Sequence, residues 1–271
     1  MIINPAWRIL TIGDGDLSFS ASVWQHHQPA HLTATVLDSA DVLCAKYHHN
    51  QLAFLQQQAV NVLTGFDITD PASWGDIQHH QYDLVVFQFP LVPSFTDASD
   101  YQRYCQHISV NTLNRILLRQ YLTNCFSAFL DPEGANLAVI TSKDVKPYLH
   151  WQIDTTLTQQ SGIHYVGKKQ FEINQFPGYQ IRNVDRDKHV KDTQGWSYFF
   201  SINPQHPIKT ELESPNNYQS GCPLCRVKHL STADEQTAHA HSKRHREMLN
   251  FEQQWQWALN HHPAIHKINQ S

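Results

Sequence analysis

The sequence lacks an apolar run long enough to cross a membrane, since nowhere do the roughly 18 consecutive apolar residues of a spanning helix occur. It also lacks a basic N-terminal segment followed by an apolar stretch, so we expect no signal peptide. Cysteines are few, five in 271 residues, which excludes the disulfide framework of a small secreted domain. These absences favour a cytoplasmic protein without membrane contact.

An excess of positive charge is missing as well. The formal net charge is −4 at pH 7, so any contact with nucleic acid must come from local basic patches. Hydrophobic residues make up 41% of the chain and charged residues 16%, which allows a sizeable core and excludes wholesale disorder. A length of 271 residues suits one large domain with a small additional module.

The most informative stretch is an apolar segment that stops at a glycine-rich, acidic turn. Gly13 and Gly15 allow positive φ angles and close approach of a ligand, and Ser18 can cap the helix that follows. Strand, glycine turn and helix N-terminus form the nucleotide-type pocket of open α/β sheets. Asp14 and Asp16 oppose a pyrophosphate, and with it a nicotinamide cofactor, but suit a cationic ligand such as S-adenosylmethionine (SAM). The alternative is an ordinary turn with solvent-facing acids.

Strands and helices alternate along most of the chain. Apolar, β-branched segments predict strands at 7–12, 32–37, 60–64, 82–87, 135–140, 163–171 and 196–202. Helical spacing predicts helices at 19–26, at 41–57, in a long segment ending at 128, and at 148–161. This order predicts an α/β fold with a doubly wound, mostly parallel seven-stranded sheet and an antiparallel edge strand. We expect this domain to span 1–203, with a proline-containing linker at 204–219 and a small module at 220–271.

Acidic residues follow the second and third predicted strands. Asp38 lies where such folds hold a ribose diol, because a carboxylate can accept from both hydroxyls. Its alternative role is to cap the helix that starts near Asp41. Asp67 lies on the adenine side of an adenosyl ligand, or else only starts the turn into Asp70.

The fourth predicted strand ends in Gln88-Phe89-Pro90. An amide and an aromatic ring at the carboxyl end of a strand would give a planar base a hydrogen-bonding edge and a stacking face. Pro90 would hold the backbone rigid beside the reacting centre. The alternative is a simple strand terminator, for which the proline alone is sufficient. No catalytic acid or base is evident.

A metal-ligand pattern lies near the C-terminus. Cys222 and Cys225 are followed, after thirteen residues, by His239 and His245. Two thiolates on a turn and two imidazoles on a following helix predict a tetrahedral zinc site, which would stabilise a module too small for a core of its own. His241 is an alternative ligand to His239, because it shares a helical face with His245.

Basic residues surround this pattern. Five of them stand against three acids, a local excess of two positive charges that is compatible with binding to a nucleic-acid backbone and equally with a solvated helix face. The five are Arg226, Lys228, Lys243, Arg244 and Arg246.

The turn from Gly13 to Ser20 resembles the G-E-G-D-F-S-F-S signature of the rRNA uridine-N3 methyltransferase family. Four later segments agree in order: the acid-serine pair Asp38-Ser39, the acid Asp67, the F-N-F-P-H stretch, and P-G-Y-x-x-R at 177–182. The resemblance covers about residues 7–203. Here F-N-F-P-H becomes F-Q-F-P-L, so Gln88 and Leu91 replace an asparagine and a histidine where substrate would bind.

The resemblance implies a Rossmann-like class I SAM-dependent methyltransferase acting on RNA, with rRNA as the expected substrate. It implies cofactor contacts from eight residues and a target base beside Gln88, Phe89 and Pro90. The eight are Gly13, Asp14, Gly15, Asp16, Ser18, Asp38, Ser39 and Asp67.

The C-terminal pattern resembles a matrin or U1-type zinc finger, whose H-x-x-S-x-x-H is matched by His239, Ser242 and His245. Such fingers commonly bind structured RNA, so this second resemblance also implies an RNA partner. The alternative to an enzyme is a catalytically degenerate RNA-binding adaptor that uses the finger. Neither pattern indicates an oligomeric state.

Overall fold

The computed structural model describes residues 1–95, 97–182, 194–216 and 218–262. Seven strands form one sheet in the order β3-β2-β1-β4-β5-β7-β6. The strands are β1 (Arg8–Ile12), β2 (His31–Val36), β3 (Asn61–Thr64), β4 (Leu84–Gln88), β5 (Leu137–Lys143), β6 (His164–Phe171) and β7 (Gly195–Ser201).

Strands β1 to β5 run parallel, and β7 lies antiparallel between β5 and β6. The predicted fold class is therefore confirmed. Because the chain turns back from β3 to cross over to β4, the order reverses between β1 and β4. Ligands of open α/β sheets bind at such a switch point, outside the carboxyl ends of the strands.

The helices are α1 (Ser18–His27), α2 (Ala40–Lys46), α3 (Leu52–Gln57), α4 (Ala98–Tyr104), α5 (Val110–Asn124), α6 (Ala233–Ala240) and α7 (Lys243–His261). Where one helix was predicted at 41–57, the structure has two, α2 and α3. The break occurs because Tyr47 leaves the helical conformation and is buried in the core. In the part of the chain that is described, no helix is long and apolar enough to cross a membrane.

The predicted helix at 148–161 is wrong. Only a short 3₁₀ turn, Tyr148–Trp151, forms there, and the rest is a series of turns. The guanidinium of Arg119 on α5 donates to the carbonyls of Leu157 (3.0 Å), Gln159 (2.8 Å) and Gln160 (3.2 Å). These carbonyls accept from a buried side chain, which favours turns over a regular helix.

Alternate residues of the strands point to opposite faces of the sheet, so that Ile9 and Leu10 lie in two different apolar clusters. Trp255, Ala258 and Leu259 of α7 belong to the same cluster as Leu10, on the α5 face. The C-terminal part of α7 therefore packs against the large domain.

The segment 204–219, predicted as a linker, is also packed in part. Its 3₁₀ helix Pro207–Glu211 and the next residue bury Ile208 and Leu212, which contact the other face of the sheet. Glu213 then pairs with Lys168 at the edge strand β6.

Candidate active site and candidate metal centre

A cavity of about 660 Å³ opens at the carboxyl ends of β1, β2, β4 and β5. Its walls bring together the glycine turn, Asp38 after β2, and the predicted base site Gln88-Phe89-Pro90. An adjoining cavity of about 560 Å³ shares Gly13 and Phe87 with it and contains Asp67. Volumes of this size are typical of sites for small molecules and cofactors.

Gly13 is required by the backbone of the turn. Its φ is +60°, and a Cβ at this position would lie 2.8 Å from Cε2 of the Phe87 ring. Gly15 differs from the prediction, because its φ is not positive and a Cβ there would meet only ordinary contacts at 3.6 Å. The second left-handed residue of the turn is Leu17, with φ +65°.

Asp14 caps helix α1, the role that was predicted for Ser18. Its carboxylate accepts from the backbone N–H groups of Phe19 (3.3 Å) and Ser20 (2.6 Å). Burial raises the pKa of Asp14 to about 7. Both oxygens bond the helix N-terminus, which favours a negative charge, but burial outweighs these bonds in setting the pKa of Asp14, which also lines the cavity.

Asp16 connects the first family motif to the last. Its Oδ1 accepts from the Ser18 N–H at 3.0 Å, and its Oδ2 lies 2.5 Å from Nε of Arg182. Ser18 Oγ in turn accepts from the N–H of Gln180 at 3.1 Å. Asp16, Gln180 and Arg182 line the cavity and Ser18 does not, so Ser18 supports the loop that carries the wall.

Asp38 and Ser39 divide the two roles considered for the tip of β2. Ser39, not Asp38, caps α2 by accepting from the Val42 N–H (3.4 Å), and it does not line the cavity. Asp38 lines the cavity, and its Oδ2 lies 2.9 Å from Nζ of Lys46. The capping alternative for Asp38 is thus excluded.

Asp67 takes the turn role and also lies at the second cavity. Its Oδ1 accepts from both the N–H (2.8 Å) and the hydroxyl (2.7 Å) of Thr69. The surrounding walls are apolar, with Phe66, Ile68 and Leu91 among them. Asp67 is one of several polar residues that line this cavity, together with Thr69, Asp100 and Gln120.

The predicted base site lines the larger cavity. Gln88 is 8% exposed, and its Oε1 is buried without a hydrogen-bond partner among the described residues. Phe89 has φ +45°, a left-handed conformation that bulky residues rarely adopt. Its ring packs edge-on against Phe171 at 5.6 Å between ring centroids. An unpartnered buried acceptor beside a strained residue is typical of a ligand site.

Sequence reasoning missed Lys143 and Tyr148, which line the same cavity. Lys143 ends β5, next to β4 in the sheet, and is buried. The rule that ligands bind outside the carboxyl ends of the strands could have found it from its position. Tyr148 could not be found in this way, because the helix predicted for it does not form.

The four predicted metal ligands converge. One ligand atom from each of Cys222, Cys225, His239 and His245 lies within 4.8 Å of all the others. Nδ1 of His245 is 3.6 Å from the sulfur of each cysteine. Tetrahedral zinc with bonds of about 2.0–2.3 Å places a nitrogen and a sulfur about 3.6 Å apart, so the spacing fits. His241, the alternative ligand, is exposed and does not belong to this cluster, in which His239 supplies the fourth ligand atom.

Local sequence explains this convergence. Helix α6 ends at Ala240, and Ser242 begins α7 by accepting from the N–H of His245 at 3.1 Å. The break between the helices turns His239 and His245 toward each other, with their rings 4.9 Å apart.

The protonation states of the candidate ligands His239 and Cys225 also fit a metal site. Nε2 of His239 is buried without a partner among the described residues. Burial, with His245 and Arg244 nearby, lowers the pKa of His239, which keeps the imidazole neutral and able to bind a metal. Burial and the adjacent Cys222 raise the pKa of Cys225 to about 12, so a metal must displace the thiol proton on binding.

The predicted basic face is smaller than its sequence suggests. Arg226 points inward to Asp144 and Asp154, and Arg244 donates to the Cys225 carbonyl at 2.6 Å. The remaining basic residues of this module are exposed. They are Lys228, Lys243 and Arg246.

The chain has two curated relatives with similar sequences. "Heavy metal-associated isoprenylated plant protein 41" of Arabidopsis thaliana is 27% identical over 182 residues, which cover 66% of this chain and 33% of that protein. "Ferredoxin-fold anticodon-binding domain-containing protein 1" of Homo sapiens is 22% identical over 197 residues, which cover 68% and 29%. The chain thus spans about a third of the length of these relatives.

Solved structures that align with the chain include two TrmK proteins. The M1A22 tRNA methyltransferase TrmK of B. subtilis aligns with a TM-score of 0.46 at 8% identity, over 98% of this chain and 93% of that one. TrmK of M. capricolum, in complex with S-adenosyl-homocysteine (SAH), aligns with a TM-score of 0.44 at 10% identity, over 96% and 93%.

The family comparison covers more than half of the chain. A family model described as "rRNA (uridine-N3-)-methyltransferase BTM5-like" matches residues 10–183, from the glycine turn through the P-G-Y-x-x-R segment. It stops before the Cys/His cluster, which therefore lies outside the matched region. On this match, the chain belongs to the BMT5-like family.

Proposed function

We propose that this protein is a SAM-dependent methyltransferase that methylates a base in RNA, with uridine N3 of rRNA as the favoured target. The proposal depends above all on one observation. The cavity that begins at the Gly13 turn ends at the buried amide of Gln88, whose Oε1 has no partner among the described residues. Cofactor and base would thus meet in one cavity, which is what transfer between them requires.

The walls suggest how SAM would be held. The apolar cavity with Phe66, Ile68 and Asp67 would take the adenine. Asp38 pairs with Lys46 through Oδ2, which leaves Oδ1 to accept from the ribose hydroxyls. The methionine end would lie at the Gly13 turn. Bound SAM supplies an electrophilic methyl group.

Gln88 would recognise the base. Its Oε1 can accept from an N–H of a planar base, while Phe89 and Pro90 would hold the ring in place. Extrusion of the base from its stack would bring it to the cavity. We assign no general base. On a uridine the N–H that Oε1 would accept is N3–H, whose proton would pass to water before the methyl group is transferred to N3, so the catalysis in this proposal comes from positioning.

We further propose that Cys222, Cys225, His239 and His245 bind Zn²⁺. The fit of their spacing to tetrahedral geometry supports this ion. RNA would bind the exposed side of this module, where helix α6 has no buried residue.

The test is methyl transfer by the zinc-loaded full chain to RNA from cells that lack the gene, followed by mass spectrometry of the nucleosides. We expect 3-methyluridine to appear. Gln88→Leu should lower kcat/KM about 10- to 100-fold, because an N–H of the base loses its acceptor. Gln56→Leu, an exposed glutamine on α3, is the matched control. RNA binding that ignores SAM, with no nucleoside methylated, would instead support the adaptor.

A further inference from the structure

Arg226 occupies an unusual position directly after the second cysteine. Its φ is +53°, a left-handed conformation that favours glycine. The turn needs this conformation to close, with Arg226 N–H donating to the Pro223 carbonyl (3.1 Å) and with Cys222 and Val227 paired at 2.8 and 3.0 Å. An arginine at such a position points to a use for the side chain.

That side chain leaves the metal cluster and enters the methyltransferase domain. Nη1 of Arg226 lies 2.6 Å from Asp144, and Nη2 lies 2.6 Å from Asp154. The Asp154 side chain is 4% exposed, so it has almost no access to water as an alternative partner. Removal of the arginine would leave this buried carboxylate without a counter-ion, which is strongly unfavourable.

The two acids delimit a segment, 144–154, that contributes Tyr148 to one wall of the cavity. The segment starts directly after Lys143 and contains Tyr148, and both residues line the cavity together with Gln88. The predicted helix is absent here, so a regular hydrogen-bond ladder does not fix the wall.

Other contacts of the wall also come from the C-terminal module. The Gln152 side chain donates to the carbonyl of Leu224, between the two cysteines, at 2.8 Å. The buried Arg115 joins the His150 carbonyl (2.8 Å) to Glu252 on α7 (3.2 Å). The side of the wall away from the cavity thus contacts the turn between Cys222 and Cys225, and also α7.

We propose that Arg226 is a positioning residue that fixes the wall 144–154, so that metal binding in the module sets the shape of the base side of the cavity. This inference rests on the proposed function for the identity of the ligand. The metal orders the turn, the turn orients Arg226, and Arg226 holds the wall. The cofactor side, at Asp38 and Asp67, lies on the other half of the sheet and is independent of this chain of contacts.

The test is hydrogen exchange of the full chain, measured by mass spectrometry. We compare zinc-loaded parent, chelator-treated parent, and zinc-loaded Arg226→Gln. Peptides within 144–154 should exchange about tenfold faster or more in the last two samples, while peptides of β1 and β4 stay unchanged. Arg246→Gln removes the same charge from an exposed position on α7 and should exchange like the parent.

Two further measurements separate positioning from general damage. Zinc content should remain one ion per chain in Arg226→Gln, because Arg226 is not a ligand. Arg226→Lys, which keeps the charge but cannot bridge both acids, should show intermediate exchange. Parent-like exchange of 144–154 in Arg226→Gln, or in the chelated protein, would overturn the proposal.

Measurements of SAH affinity and of KM for RNA test this inference separately from the proposed function. SAH affinity should change less than about twofold in Arg226→Gln, whereas KM for RNA should rise about tenfold. If no RNA is methylated, the proposed substrate is wrong, and the exchange data still decide whether Arg226 holds the wall. An equal loss of SAH affinity and RNA affinity would contradict a role confined to the base side.

Discussion

The glycine-turn cavity and the Cys/His module both follow from short motifs, but the motifs specify them in different ways. In the module, Cys222, Cys225, His239 and His245 themselves converge on one point. In the cavity, Asp14, Asp16 and Ser18 mainly bond to helix N–H groups, to Arg182 and to Gln180. The residues of the Cys/His motif are themselves the proposed ligands. The residues of the glycine-turn motif mainly hold the backbone of the turn in place, and other segments supply the rest of the cavity lining.

The largest expected effect is loss of the metal. Cys222→Ser should abolish stoichiometric zinc binding and unfold the module, because structural zinc contributes about 10–16 kcal/mol to folding of comparable fingers. Elemental analysis gives zinc per chain, and circular dichroism reports the loss of helix in α6 and the first turns of α7. The exposed Cys44→Ser is the control. One zinc retained per chain in Cys222→Ser would contradict the ligand set.

The next effect tests whether the pocket motif is a scaffold. Arg182→Gln removes the counter-ion of Asp16, whose side chain is only 2% exposed. Loss of one partner of a buried pair should lower the free energy of unfolding by about 3 kcal/mol. Urea denaturation measures this, with Arg103→Gln on the exposed face of α4 as the control. An unchanged urea midpoint would show that the contact between Asp16 and Arg182 does not stabilise the folded protein.

The difference between the regions also explains what could be predicted. The sheet and its order of elements followed from alternating apolar runs, because a buried parallel strand needs little beyond its own composition. The convergence of Cys222, Cys225, His239 and His245 followed from their spacing. Asp14 caps α1 in place of the predicted Ser18, since a helix cap depends on which side chain reaches the free N–H groups. Lys143, Tyr148 and the inward turn of Arg226 depend on contacts between distant segments, which no local pattern contains.

A smaller effect concerns Gly13. Gly13→Ala places a Cβ 2.8 Å from the Phe87 ring at φ +60°, so the turn or the Phe87 ring must move to make room for it. We expect a cost of about 2 kcal/mol, seen as a roughly 30-fold loss of SAH affinity in calorimetry. Gly162→Ala, which meets nothing within 4 Å, should bind like the parent. Parent-like binding by Gly13→Ala would place the cofactor elsewhere.

The smallest expected effect is the change in the free energy of unfolding per pH unit that comes from the titration of Asp14. Burial raises its pKa in the folded protein to about 7, against 3.8 for the exposed group. Between these values the folded state holds a proton that the unfolded state has released. The stabilisation is therefore complete below about pH 4 and is lost as pH rises to 7, at up to about 1.4 kcal/mol per pH unit.

Asp14→Asn, which cannot titrate, should lose this slope, so that its stability relative to the parent improves as pH rises from 5 to 6.5. Urea titrations at several pH values measure the difference, and subtraction of the two curves removes the contribution of the histidines. Asp41→Asn, an exposed acid in the first turn of α2, should keep the parent slope. Equal slopes for parent and Asp14→Asn would mean that Asp14 is ionised in the folded protein. Its charge would then be available to a cationic ligand, and the glycine turn would act as directly on its ligand as the Cys/His motif does.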